Sequence, residues 1–239
     1  MDWDKVKEQM VRTICNTSDS FLMPIEDIFP IAGRGVVATG NIESGTIKVG
    51  DTIELVGLNW ENTQAKCVGI ELNGGLVERA NTNQHVGLLL ENIDVSKVSR
   101  GMVVATPNSI QPCKCFKAEV YMLKFEEGGS NSSLYEGIRT QFYIRTLAVY
   151  GNIVSLYNGV KATAPGQTVQ MKIEFDCPVA MAEGLRFAIL ENSKAIGVGI
   201  VTVMDILDFF GGGNKFNIIE KKYEDNFLAA INEPVKEIM

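Results

Sequence analysis

The sequence has no long run of like charge. Its 239 residues include 22 lysines and arginines against 29 aspartates and glutamates, a formal net charge of -7. Proteins that track a nucleic-acid backbone usually carry a basic face, because contacts with phosphate supply most of the affinity. The composition shows no overall basic surplus and leaves room only for a local basic patch. We therefore expect no DNA binding.

Long apolar runs are also missing. A helix that spans a bilayer needs about 18 apolar residues, and no segment of the sequence approaches this length. The start, MDWDKVKEQM, is acidic and amphipathic and lacks the apolar core of a signal peptide. We therefore expect no membrane partner and a cytoplasmic location.

Residues of common catalytic and metal sites are scarce. The only histidine is His85, and the cysteines are odd in number and irregularly spaced, which is typical of free thiols in a reducing compartment. Cys113 and Cys115 are too close together for a zinc knuckle. The sequence has no Gly-x-x-x-x-Gly-Lys-Ser/Thr phosphate loop and no nucleophile–base pair. These absences predict a protein that is not an enzyme and uses neither a metal nor a cofactor.

One short stretch imitates a nucleotide site. GRGVVA, at residues 33–38, satisfies the glycine fingerprint of a dinucleotide-binding turn, with Glu54 at about the distance of a ribose-binding acid. A helix must follow such a turn. Here the chain continues from Val36 as a strand, and Gly40 and Gly45 would weaken a helix. We therefore expect the first two glycines to permit a tight turn into a strand.

Segments of alternating polar and apolar residues, such as GVVATGNI, HVGLLL and TQFYIRTL, recur between about residues 21 and 204. Many short strands without intervening helical patterns are typical of β-barrels and β-sandwiches. A faint repeat, GNI at residues 40–42 and again at 151–153, suggests two related halves. We expect an all-β fold of two consecutive barrels over residues 21–111 and 112–204, joined where Pro107 and Pro112 interrupt the alternation.

Both ends have helical periodicity instead. Trp3, Val6, Met10 and Ile14 predict an N-terminal helix and linker over residues 1–20. The stretch GGG and the apolar pattern after it predict a glycine-rich linker and C-terminal helix over residues 205–239. Docking onto a barrel is the favoured interpretation of these helices, and recognition of a partner protein is the alternative.

The strand-rich part resembles a known family. FLMPIEDIFPIAGRGVVATGNIESGTIKVGDTIELVG resembles the opening of the second domain of elongation factor Tu, and SRGMVVATPNSI resembles its end. EEGGSNSSLYEGIRTQFYIRT and PVAMAEGLRFAILENSKAIGVGIVTVM resemble the third domain of that factor. The resemblance covers about residues 21 to 204 and implies two β-barrels. Members of the family begin with a GTPase domain, so we expect a natural relative without that domain rather than a truncated piece.

The resemblance also implies a binding site. In the family, the second domain holds the aminoacylated 3′ end of tRNA, with the terminal adenine beside a glutamate. The matching positions are Glu26, Asp27, Phe29, Thr39, Glu71 and His85. An unstacked base held against a side chain is how proteins recognise single-stranded RNA.

The expected roles within this set differ. Glu71 takes the place of the glutamate beside the adenine and is the strongest candidate. Ile25, Ile28 and Phe29 are expected mainly to pack. His85 stands where the family has asparagine, and a lone histidine is more often a polar residue at the start of a strand than a base or a pH-sensitive contact.

The third domain of the family grips the backbone of the tRNA T stem. Arg139 and Gln141 match this surface, whereas Glu136 replaces a common lysine and Leu190 an arginine. Each lost ion contact weakens binding to phosphate. We therefore expect any binding of aminoacyl-tRNA to be weakened.

Two functions remain open. The first is a non-catalytic binding module of translation, whose partner is a translation factor, a ribosomal protein or the aminoacylated 3′ end of tRNA. The second is a protein-interaction or regulatory module that no longer binds RNA. Self-association also stays open. In the family, RTQFYIRT and GLRFAI lie on or near the side of the third domain that faces the GTPase domain. Without that domain, apolar surface would be exposed unless something covers it.

Overall fold

The computed structural model of this chain describes residues 20–91 and 93–205. The helices expected near the two ends of the chain lie outside these residues. The part of the chain that is described has no helix long and apolar enough to span a lipid bilayer.

Nearly all regular structure in these ranges is strand. Two short 3-10 helices, Val95–Lys97 and Phe125–Glu127, interrupt it. The strands are β1 (Leu22–Pro24), β2 (Asp27–Ile31), β3 (Gly35–Asn41), β4 (Thr46–Lys48), β5 (Thr52–Val56), β6 (Thr63–Leu72), β7 (Gly75–Val77), β8 (Arg79–Asn81), β9 (His85–Glu91), β10 (Val103–Ala105), β11 (Gln111–Met122), β12 (Arg139–Ile144), β13 (Leu147–Leu156), β14 (Thr168–Met181), β15 (Arg186–Glu191) and β16 (Lys194–Asp205).

The first barrel is an antiparallel sheet in the order β1-β10-β5-β6-β9-β3-β2, with β7 paired to β6 and a separate ribbon of β4 and β8. Strand β1 pairs with β10, and its Leu22 also forms an isolated bridge with Ser44, beyond the end of β3. Two residues after β1, the N–H of Glu26 donates to the carbonyl of Thr39 on β3, so these bonds bring the two ends of the sheet together. Alternate apolar residues fill the interior, because successive side chains of a strand point to opposite faces.

The second barrel is fully closed, in the order β11-β14-β13-β12-β15-β16, with β16 paired back onto β11. Buried phenylalanine rings form the centre of its core, with centroids 4.9 to 5.9 Å apart in edge-on or tilted pairs. Aromatic rings prefer such arrangements because the ring edge is positive and the face negative. The rings belong to Phe116, Phe142, Phe175 and Phe187. The expected all-β fold of two consecutive barrels is confirmed.

Two details differ from the sequence expectation. TQFYIRTL is not one continuous strand, because the chain reverses at Arg145 and Thr146 between β12 and β13, with Arg145 at φ 51°. Pro112 does not interrupt the sheet but lies inside β11, paired with Ala180. A proline near the start of a strand costs little stability, because its missing N–H removes few hydrogen bonds between strands there.

Residues 33–35 form the expected tight turn. Gly33 and Gly35 have φ values of 71° and 119°, and the N–H of Arg34 donates to the carbonyl of Ile31. A Cβ on Gly35 would lie 2.1 Å from the carbonyl oxygen of Leu90, so only glycine fits there. The glycine fingerprint is therefore explained by turn geometry and close strand packing.

The two barrels contact each other through a buried ion pair. Arg145 donates from Nε to both carboxylate oxygens of Glu43, at 3.2 and 3.1 Å, and from Nη1 to the carbonyl of Ala180 at 2.5 Å. Only 6% of each charged side chain is exposed. Beside the pair, the Thr146 hydroxyl donates to the carbonyl of Ile25. These bonds join the first barrel to the β12–β13 turn of the second.

We predict that Glu43→Ala destabilises the protein by about 3–5 kcal/mol, since it leaves a buried guanidinium without its counter-ion. Denaturant unfolding measures this change. The matched control is Glu174→Ala, which removes a carboxylate from the half-exposed pair with Lys114 at 3.3 Å and should cost at most about 1 kcal/mol. Equal losses in the two variants would show that the Arg145 pair does not hold the barrels together.

Candidate ligand-binding face

Five strands bring most of the predicted site residues to one side of the first barrel. The register aligns Asp27, Thr39, Gly87, Glu71 and Leu76 as direct neighbours on β2, β3, β9, β6 and β7. Directly opposed residues of paired strands point to the same side of the sheet, so these five form one row. Residues adjacent to the row are buried in the core: Ala38, Ile70, Val86 and Leu88.

Rows on either side complete this surface. Phe29, Val37, Leu89 and Gly69 align on one side of the first row, and Asn41 lies opposite His85 on the other. The side chain of Glu26, just before β2, joins this last pair. We call the surface formed by all three rows and Glu26 the outer face. It contains every residue of the predicted site on the first barrel.

Gly87 leaves a slot in the middle of the outer face. A Cβ placed there would lie 3.8 Å from both Glu71 Cβ and Thr39 Cγ2, and 3.3 Å from Val37 Cγ1. Thr39 and Glu71 therefore flank the position above Gly87 at ordinary van der Waals distance, whereas Val37 approaches it more closely from a third side. A flat group inserted above Gly87 would contact both walls at once.

One end of the outer face is acidic. Asp27 and Glu71 are exposed, and Glu26 is partly exposed. The Glu26 carboxylate accepts a hydrogen bond from Asn41 Nδ2 at 3.0 Å, and its other oxygen lies 3.3 Å from Nε2 of His85. This cluster can bind a cation or a hydrogen-bond donor, and it repels an anion.

The expectation for Phe29 is wrong. Ile25 is fully buried and Ile28 packs against the core, as expected, but 52% of Phe29 is exposed. Phe29 follows Ile28 directly on the edge strand β2, so its ring must point to the opposite side of the sheet from the core. Phe29 is therefore an apolar contact of the outer face and not a packing residue.

Arg139, the predicted cation of the second barrel, already has an ion-pair partner in its own sheet. Arg139 forms an ion pair with Asp176, and its guanidinium lies over the ring of Tyr150, 4.6 Å from the centroid. The hydrogen bond and charge of Asp176 raise the pKa of Arg139 above its ordinary value. Gln141 is paired with Tyr150 on the neighbouring strand. The structure thus brings Arg139 and Gln141 together, and Asp176 compensates the positive charge of Arg139.

The sequence did not reveal the residues that lie next to the predicted site residues and affect their space or charge. Gly87 appeared only as part of HVGLLL, and Asp176 is far from Arg139 in sequence. A possible signal was the alternation of β14, which puts Asp176 on the same side of the sheet as Glu174, and Glu174 pairs with Asn152 opposite Arg139. Lys114, which pairs with Glu174, is neutralised in the same way.

Four of the cysteines lie among the residues that the structure describes. Cys67, Cys113 and Cys115 are buried, Cys177 is partly buried, and none of the four forms a disulfide. Burial raises the pKa of the Cys67 thiol to about 11, and burial with the nearby charge of Asp176 raises that of Cys177. Both thiols are therefore protonated near neutral pH and are poor nucleophiles. Within residues 20–91 and 93–205, no group of histidine, cysteine and carboxylate side chains is arranged to hold a metal ion.

A pocket of about 290 Å³ lies elsewhere on the first barrel. Its polar groups already have structural partners, since Asp51 accepts from the N–H of Lys48 and Thr106 from that of Phe21. Its lining shares no residue with the outer face: Phe21, Thr46, Ile47, Asp51, Thr52, Ile53 and Thr106. It therefore does not change the position of the candidate site.

Two family models match the chain. The one described as Elongation factor Tu domain 2 matches residues 35–105, and the one described as Elongation factor Tu C-terminal domain matches residues 109–205. Together the matched segments cover well over half of the sequence, in the order that the resemblance implied.

We predict that Asp176→Asn increases the affinity of the protein for RNA, because it releases the positive charge of Arg139. Each additional phosphate contact should steepen the dependence of log affinity on log salt by roughly 0.7–0.9. Fluorescence anisotropy with labelled RNA over a salt series measures both quantities. Glu61→Gln removes the same charge from an exposed position on the first barrel. If that control changes affinity and slope equally, the effect comes from net charge and not from Arg139.

Proposed function

Because the chain belongs to the elongation factor Tu family, in its second and third domains, we propose that it is a non-catalytic module of translation that binds the acylated 3′ end of an RNA on its outer face. The family membership itself supports a translation-factor-like module. The choice of ligand is supported by the outer face, and above all by the slot at Gly87.

The spacing of the strands around Gly87 suits the thickness of a flat ring. Neighbouring strands lie about 4.8 Å apart, so β3 and β6, on either side of β9, are separated by roughly 10 Å. Thr39 and Glu71 project from these two strands, and Gly87 leaves the space between them open. A base resting on Gly87 would lie between the methyl group of Thr39 and the aliphatic stem of Glu71, both of which are 3.8 Å from the position of a Cβ at residue 87.

Other groups of the outer face suit the rest of such a ligand. Phe29, Val37 and Leu89 form an apolar row beside the slot, and an acyl side chain could lie on it. The carboxylates of Glu26, Asp27 and Glu71 can accept hydrogen bonds from hydroxyl, amine or exocyclic amino groups. A base packed against a side chain, with polar contacts at its edge, is a sequence-tolerant way to hold single-stranded RNA.

A second function is favoured by a different observation. Two cations of the second barrel, Lys114 and Arg139, are paired with Glu174 and Asp176, so these two side chains contribute little attraction for a phosphate backbone. On this reading the protein binds another protein and has lost RNA binding. Absence of RNA binding at low salt, in a folded protein, would favour this second function.

We predict that filling the slot weakens binding of an acylated RNA 3′ end by about tenfold, since one base–side chain contact is worth about 1–3 kcal/mol. Gly87→Ala tests this, because the new Cβ requires Val37 to move by only a few tenths of an ångström. Gly75→Ala is the matched control, since its Cβ would meet only the Leu72 carbonyl oxygen, at 3.7 Å.

We also predict that Glu71→Ala weakens the same interaction, whereas Glu78→Ala removes an equal charge from an exposed position outside the outer face. A short RNA with an amide-linked acyl group at its 3′ end serves as ligand in both experiments, because it does not hydrolyse. Equal affinity of Gly87→Ala, Glu71→Ala and their controls would refute the proposed site.

A further inference from the structure

The outer side of the second barrel carries an apolar surface. Phe142 and Phe187 are core residues. Their neighbours Tyr143 and Ala188 pair with each other across β12 and β15 and therefore point outward. On the other side of β15, Ala188 pairs with Val198 of β16. We call the surface around them the lateral surface, and its larger side chains are those of Tyr121, Leu123, Tyr143, Leu190, Val198 and Ile200.

A phenylalanine stands at one end of the lateral surface. Phe125 is the first residue of the 3-10 helix Phe125–Glu127, and 74% of it is exposed. Two residues earlier, the N–H of Leu123 donates to the carbonyl of Ile196 on β16, which places this helix beside the lateral surface. Contact between water and so large an apolar ring is unfavourable. An aromatic residue exposed next to an apolar surface is characteristic of a contact with another protein.

The helix that carries Phe125 is held in one conformation. The carboxylate of Glu127 accepts hydrogen bonds from the backbone N–H of Lys124 at 2.8 Å and from the hydroxyl of Tyr121 at 3.0 Å. Gly128, at φ 89°, ends the helix. Because the backbone under Phe125 is already ordered, burial of this ring costs little conformational entropy. Phe125 therefore has the properties of an anchor residue in an interface.

The charges around the lateral surface are nearly balanced. Arg186 and Glu119 lie on opposite sides of Ile200, on the two strands next to β16. Both signs also occur beside Phe125 and in the turn between β15 and β16. The three cations are Lys124, Arg186 and Lys194, and the carboxylates are Glu119, Glu126 and Glu191, with Glu127 already used inside the helix. The chain as a whole has a formal net charge of -7, so this surface is less acidic than the average of the molecule.

An apolar surface with charges of both signs around it suits a copy of itself. In an isologous contact the same surface of two copies meets about a two-fold axis, so a cation of one copy can face a carboxylate of the other. A strongly basic or strongly acidic partner would meet like charges here as well as opposite ones.

We propose that the lateral surface binds a second copy of this chain, with Phe125 as the anchor of the contact. The lateral surface shares no residue with the outer face, so this inference does not depend on the proposed function.

Sedimentation equilibrium of the full chain, over about a hundredfold range of protein concentration, tests the association. We expect a monomer–dimer equilibrium. Phe125→Ser should raise the dissociation constant of the dimer at least about tenfold, since a few buried aromatic residues carry much of the binding energy of an interface. Val95→Ser is the matched control, because Val95 is the first residue of the other 3-10 helix and is 41% exposed. It should leave the dissociation constant unchanged, and circular dichroism checks that both variants are folded.

Photo-crosslinking tests which surfaces meet. The photoreactive residue p-benzoylphenylalanine, placed at position 125, keeps an aromatic ring there. Isotopically labelled and unlabelled protein are mixed and irradiated, so that a crosslink between two copies joins a labelled peptide to an unlabelled one. We expect such mixed crosslinks, with both peptides from the lateral surface, because the contact is isologous.

The other outcomes contradict the proposal. A monomer at every concentration would leave the lateral surface to a different protein and refute the dimer. Equal dissociation of Phe125→Ser and Val95→Ser would show that Phe125 is not the anchor. Crosslinks within one copy would show that another part of the same chain covers Phe125, and crosslinks to the first barrel of a second copy would show a head-to-tail contact. None of these results affects the prediction of RNA binding on the outer face.

Discussion

The register of hydrogen bonds between β2, β3, β9 and β6 is the constraint on which both the core and the candidate site depend. A strand offers each side chain only two faces, and pairing carries that choice across the sheet. Leu88 is buried because it faces inward, and for the same reason Gly87 and Leu89 face outward. A slip by one residue would put Glu71 and Thr39 into the core and Ile70 and Ala38 into solvent.

Much of the fold could be predicted because this alternation is written in the sequence. HVGLLL shows both faces of β9, and the two glycines of GRGVVA indicate the turn before β3. The reversal at Arg145 could not be read in the same way. The turn residues Arg145 and Thr146 include no glycine, proline, asparagine or aspartate that would mark a turn, and the Arg145 side chain binds Glu43 of the other barrel.

The resemblance to the family predicted which positions form the site. It did not predict which side chains contact one another there. Ion pairs between strands depend on register and on bulges, and no local pattern of the sequence encodes them. Asp176 reaches Arg139 across β13, and Glu26 reaches His85 across β3. Asp176 compensates the positive charge of Arg139, and Glu26 places a carboxylate beside His85, so the partner in each case affects whether the surface attracts or repels an anion.

The affinity that the outer face can supply by itself is small. One base contact worth about 1–3 kcal/mol, with a few exposed polar contacts, falls well short of the roughly 8 kcal/mol that micromolar binding requires. Arg139 and Lys114 add little to it, because each is paired with a carboxylate of its own sheet. A ligand held tightly by this protein must therefore touch more than the slot. Since the buried Arg145–Glu43 pair joins the barrels, those further contacts are presented at a fixed position relative to the outer face, which favours a ligand that is itself folded over one that is a free single strand.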